Sequence, residues 1–103
     1  MSTNAAFEKA AIDLRKLNKK PPADDLLKAY ALYKIGTGAD IEKARVPGMF
    51  ELQAKAMRKA WQNMIDDENY TQEQAQEKYI ELVEELKKDY EYDPNKEPEA
   101  VRS

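Results

Sequence analysis

A chain of 103 residues, 42% hydrophobic and 36% charged, is long enough for one packed core and no more. Its net charge of −3 argues against a nucleic-acid partner, and the absence of cysteine and histidine excludes disulfides, zinc-finger spacings, thiol nucleophiles and the commonest general base. Three glycines against abundant Ala, Leu, Glu, Lys and Gln favour an all-α fold.

No stretch approaches the roughly 18 apolar residues that span a bilayer, and the first residues lack the apolar run of a secretion signal. A cytoplasmic helical domain without stable membrane insertion is therefore expected. Ser2 or Thr3 is placed to cap a first helix that carries Phe7, Ala10, Ala11, Leu14 and Leu17 on one stripe. Glu8, Lys9, Asp13, Arg15 and Lys16 fall mostly off that stripe, and Lys19-Lys20-Pro21-Pro22 stops the helix, because proline disfavours helical angles before it and breaks the ladder itself.

A second helix begins near Ala23 to Asp25, with acidic residues at its positive end, and closes at Gly36-Thr37-Gly38. Within it Tyr30, Tyr33 and Lys34 stand three and four residues apart and share a face. Two phenols and an ammonium side by side offer flat surfaces, hydrogen bonds and a positive charge. That combination suits an anionic ligand that carries an aromatic ring, such as a nucleotide. The plainer alternative is a pair of half-buried helix aromatics beside a solvated lysine.

Residues 36–48 form a connection longer than neighbouring helices need, with Ile41 as its apolar anchor and Val46-Pro47-Gly48 as the turn into a third helix. Phe50, Ala54, Met57, Trp61 and Met64 then repeat at helical spacing. Asp66-Asp67-Glu68-Asn69 reads as a solvated link, and Thr71 with Gln74 as a capping box for a fourth helix through Ala75, Tyr79, Leu82, Val83, Leu86 and Tyr90. Asp93-Pro94 ends it. Phe7, Leu14, Phe50, Trp61, Leu82 and Leu86 are expected in the core. The helical domain is set at 3–91, and residues 92–103 are expected to be a disordered polar tail. Neither Asp66-Asp67-Glu68 nor Glu81, Glu84 and Glu85 has metal-ligand spacing, so no metal and no catalytic residue is expected.

Phe7-Glu8-Lys9-Ala10-Ala11, Lys20-Pro21, Tyr30-x-x-Tyr33-Lys34, Gly38-Ala39-Asp40-Ile41, Pro47-Gly48-Met49, Ala60-Trp61, Glu77-Lys78-Tyr79-Ile80 and Val83 to Lys88 occur in an order that resembles the acyl-CoA-binding protein family. The resemblance spans about residues 7–90 and implies a four-helix up-down bundle with a long loop between helices 2 and 3. It implies a non-enzymatic carrier of long-chain fatty acyl-CoA that needs no cofactor. Tyr30 would bond a phosphate, Tyr33 would stack near the adenine, and Lys34 would pair with the ribose 3′-phosphate. Arg15 would reach toward the adenine end, with Lys28 adding to the basic patch. Ala11, Leu26, Leu27 and Tyr79 would line the groove.

Two positions depart from the family pattern. Met57 stands where the family has a phosphate-binding lysine, and Arg58 where it has a second tryptophan; Lys55 and Arg58 are the nearest cations. Met57 is kept as a groove residue, since a thioether packs readily against an alkyl chain. The same substitution motivates a second reading, a helical interaction module with weakened or lost ligand binding. Implied partners are fatty acyl-CoA and, transiently, acyl-CoA-using enzymes or membranes, with the chain a monomer.

Overall fold

Helix α1 (Ala5–Leu14) starts at Asn4, whose side-chain oxygen accepts the Phe7 amide at 2.7 Å. The computed structural model describes residues 4–97, so the proposed caps Ser2 and Thr3 lie outside the described residues. The Asn4 amide also donates to Gln76 at 2.7 Å and so ties the helix start to α4. The helix stops at Leu14, ahead of the Lys-Lys-Pro-Pro signal. Leu17 instead sits buried in a short bridge to Tyr92.

Helix α2 (Ala23–Gly36) follows Pro22 and closes through Gly38, whose φ of 77° favours glycine. A 3₁₀ turn (Ile41–Lys43) anchors the long connection by burying Ile41. Helix α3 (Leu52–Glu68) continues through the acidic residues that the sequence suggested were a link, and ends on Asn69 in the left-handed region at φ 51°. Asp66, Asp67 and Glu68 are thus its last turn. Helix α4 (Gln72–Asp89) opens with the expected capping box, in which the Thr71 hydroxyl accepts the Gln74 amide and the Gln74 side chain accepts the Thr71 amide.

The result is an all-α four-helix bundle. Helix α2 packs on α3 and on α4, while the main partner of α1 is α4. Two apolar clusters follow from this layout. Phe7, Ala10, Ala29, Leu32, Ala75, Tyr79 and Val83 fill the space among α1, α2 and α4. Ala31, Ile41 and Trp61 fill the space between α2 and α3. Contact at the end of α2 is close: a Cβ on Gly36 would lie 2.9 Å from the Phe7 ring. The Gly36 carbonyl accepts from the buried Gln76 side chain at 2.8 Å.

Phe50, expected in the core, is 89% exposed. Its place in the helical stripe is illusory because α3 begins only at Leu52, so the residue lies in the preceding turn.

Asp13, expected on the solvent side of α1, is 3% exposed. Lys9 and Lys87 donate to one carboxylate oxygen at 2.7 and 3.0 Å, and the Tyr92 hydroxyl donates to the other at 2.9 Å. The expected tail therefore begins as part of the fold. The Asp93 amide donates to the Lys16 carbonyl, and the Lys96 ammonium donates to the Leu17 carbonyl at 2.7 Å.

Burial alone would raise the Asp13 carboxyl, but the hydrogen bonds from Lys9, Lys87 and Tyr92 outweigh it and hold the group below the ordinary carboxylate range. A lowered folded pKa means stability that is complete above the unfolded value of about 4 and lost as pH falls through the folded value. Asp13→Asn should therefore cost roughly 1.5–3 kcal/mol near neutral pH. The gap to the parent should narrow below about pH 4. Urea midpoints on either side of that pH check it; a constant gap would contradict it.

Candidate functional site

At about 100° per residue, Leu26, Leu27, Tyr30, Tyr33 and Lys34 fall within roughly one third of the circumference of α2. Ala29, Ala31, Leu32 and Gly36 take the inward side and are buried. The five outward residues are half-buried, apart from Tyr33 at 39% exposed. The helix thus presents apolar side chains toward its start and two phenols with an ammonium toward its end.

On the α3 side, Tyr30 lies edge-on to Trp61, with ring centroids 6.4 Å apart and planes at 86°. Lys34 Nζ stands 5.7 Å from the Tyr30 centroid and 5.5 Å from that of Trp61, within range for cation–π attraction. These three side chains, with Met57, Arg58 and Arg45, border a cavity of about 210 Å³. Ala44, Pro47 and Ala54 complete its wall. Burial pushes the Tyr30 phenol above its usual range, an effect that nearby Arg58 offsets in part. Tyr30 is therefore a neutral hydrogen-bond donor near physiological pH. Trp61 Nε1 is buried without a hydrogen-bond partner.

On the α1 side, Tyr33 stacks on Phe7 at 5.4 Å and leans on Tyr79 at 5.7 Å. Tyr79 is 3% exposed and belongs to the core cluster, so it supports Tyr33 from beneath. Burial raises its phenol, nearby Tyr33 adds to the rise, and Arg15 opposes it. Ala11 is half-buried against the same cluster, and Arg15 Nε donates to the Ala11 carbonyl at 3.3 Å. Lys28 departs from the expected patch. It lies on a different face of α2 and borders a separate groove of about 590 Å³ with Leu32, Tyr70 and Ile80. Lys28 apart, that larger groove contains none of the site residues named from the sequence.

The connection ahead of α3 contributes Arg45, which the sequence did not single out, and α3 itself contributes Arg58; both border the cavity. Arg45 is paired with Glu51, whose carboxyl Arg45 and the Gly48 amide hold down at about 2. Arg58 donates to the carbonyls of Ile41 at 3.1 Å, Arg45 at 3.4 Å and Ala44 at 3.5 Å. Lys55 donates to the Met49 carbonyl at 3.2 Å. The two cations nearest Met57 thus hold loop backbone in place. The signal nearest to this in the sequence is Val46-Pro47-Gly48, but the turn itself lies at Gly48–Glu51, where the Glu51 amide donates to the Gly48 carbonyl at 3.1 Å.

Among the described residues, no group of acidic side chains is placed to hold a metal ion, and no helix is long and apolar enough to cross a membrane.

Four helices around two apolar clusters, with an aromatic and cationic face left open on the second, define the class as a small all-α bundle. The sequence model described as Acyl CoA binding protein matches residues 4–83. The chain is 41% identical over 81 residues to acyl-CoA-binding protein homolog 1 of Caenorhabditis elegans, covering 79% of this chain and 90% of that protein. It is 37% identical over 86 residues to the acyl-CoA-binding protein homolog of Manduca sexta, covering 84% and 92%. It is 39% identical over 80 residues to the acyl-CoA-binding protein of Saccharomyces cerevisiae, covering 78% and 87%. The chain belongs to the acyl-CoA-binding protein family.

Proposed function

We propose that this chain binds long-chain fatty acyl-CoA without covalent chemistry and carries it, as a cytoplasmic monomer, between enzymes or membranes that use it. One observation carries the reading: Leu26, Leu27, Tyr30, Tyr33 and Lys34 share the open face of α2, with Met57 facing the Tyr30 end across the cavity. Lys34 and Tyr30 meet the phosphates, Tyr33 offers its ring to the adenine, and Arg15 adds charge at that end. Ala11, Leu26, Leu27 and Met57 supply the surface for the acyl chain, and Tyr79 keeps Tyr33 in position. No catalytic step and no cofactor are part of the proposal.

The missing lysine at Met57 removes one charged hydrogen bond, worth about 1.5–3 kcal/mol. Burial of an alkyl chain contributes about 0.8 kcal/mol per methylene, so a palmitoyl chain supplies on the order of 10 kcal/mol as an upper bound. The tail outweighs the missing charge. Calorimetry should find palmitoyl-CoA bound far more tightly than free coenzyme A. Equal affinities would refute the division of labour between head and tail, and no heat from either would leave only an interaction module.

A further inference from the structure

Four large apolar side chains stand outward within one short segment ahead of and into α3. Val46 is 70% exposed, Met49 73%, Phe50 89% and Leu52 73%. Isolated exposed apolar residues need no explanation, but four within a seven-residue segment mark a contact surface. The segment is held in shape by polar groups. Glu51 accepts the Gly48 amide at 2.8 Å and pairs with Arg45, and Lys55 donates to the Met49 carbonyl. The apolar tips therefore project from a braced turn.

The charges around that turn are opposite to those of the whole chain. Residues 41–59 contain five basic residues against Glu42 and Glu51, a local net charge of +3 in a chain of net charge −3. Lys43 and Arg45 precede the tips and are exposed. Lys55 and Lys59 follow Leu52 at three and seven residues on the exposed face of α3. Exposed apolar side chains with a cationic rim match a bilayer that carries anionic headgroups: the apolar side chains enter the acyl boundary and the rim meets the charge.

We infer that residues 46–52 form a docking surface for anionic membranes. Pro47 and Ala54 border both this surface and the candidate cavity, so docking would turn the cavity toward the lipid. The inference goes beyond acyl-CoA binding and does not depend on it, because the probe is a vesicle without acyl-CoA.

The test is sedimentation with vesicles of phosphatidylcholine alone and of phosphatidylcholine mixed with phosphatidylserine. The parent should bind the mixed vesicles and bind the neutral ones much more weakly. Phe50→Asp with Leu52→Asp should reduce binding at least about tenfold, through lost apolar contact and added repulsion. Lys43→Gln and Lys59→Gln should each reduce it about fivefold, an effect that salt diminishes. All four positions are exposed, so circular dichroism and palmitoyl-CoA affinity should match the parent. A parent that fails to bind anionic vesicles, or an aspartate variant that binds them normally, overturns the inference. Loss of palmitoyl-CoA affinity in that variant, with vesicle binding intact, would instead make the patch part of the ligand site and also overturn it.

Discussion

Trp61→Ala is expected to cost about 3–5 kcal/mol of folding stability. The side chain is 2% exposed and joins Ala31 and Ile41 in the cluster between α2 and α3. Its indole nitrogen has no partner, so the loss would be one of apolar burial and packing with no hydrogen bond removed. Trp61→Phe keeps much of that packing and removes the orphaned donor, and should cost much less than the alanine change. Urea denaturation followed by circular dichroism compares them, since Trp61 is the one tryptophan and its fluorescence would be gone. Equal midpoints for parent and Trp61→Ala would show that the cluster does not hold α3 on α2. The alanine variant should also bind palmitoyl-CoA more weakly, because Tyr30 and Lys34 rest on the indole.

Removing the ammonium and the phenol that face the cavity should have the largest effect on ligand affinity. Lys34→Ala combined with Tyr30→Phe deletes one cation and one hydroxyl while leaving the Tyr30 ring in place. A hydrogen bond to a charged group contributes about 1.5–3 kcal/mol, so the Lys34 change alone should weaken binding about ten- to a hundredfold. Met57→Lys is the complementary experiment. It puts an amine on the opposite wall of the same cavity and should tighten coenzyme A by a similar factor. Calorimetry with palmitoyl-CoA and coenzyme A reads both variants. A double variant that holds palmitoyl-CoA as tightly as the parent would remove the head-group dock from the proposal.

Much of this was legible in the chain, for reasons that differ by element. The second helix announced itself through prolines before it, glycines after it, and a Tyr-x-x-Tyr-Lys spacing that can only place those groups together if the backbone is helical. The Thr71 capping box was equally local, and the structure forms it as expected. Phe50 misled because helical spacing extends past the true start of a helix, and only the loop's path decides where the ladder begins. Asp13 misled for the opposite reason. A carboxylate on an exposed-looking position is buried by Lys87 and Tyr92, both more than seventy residues away. No local pattern encodes such a pairing. Arg58 belongs with Asp13: its role as a clamp on loop carbonyls follows from how the loop lies on α3.

The order of contacts along the chain has a consequence for assembly. Because the main partner of α1 is α4, α1 emerges from the ribosome well before the helix that covers its principal face. Helices α2 and α3, neighbours in sequence, can pair in the meantime and close the Trp61 cluster. The contacts of Tyr92 with Asp13 and of Lys96 with Leu17 then fasten the end of α1 to the segment that follows α4. Shortening the chain before Tyr92 should therefore expose the opening helix to premature cleavage by proteases, while leaving the α2–α3 hairpin intact.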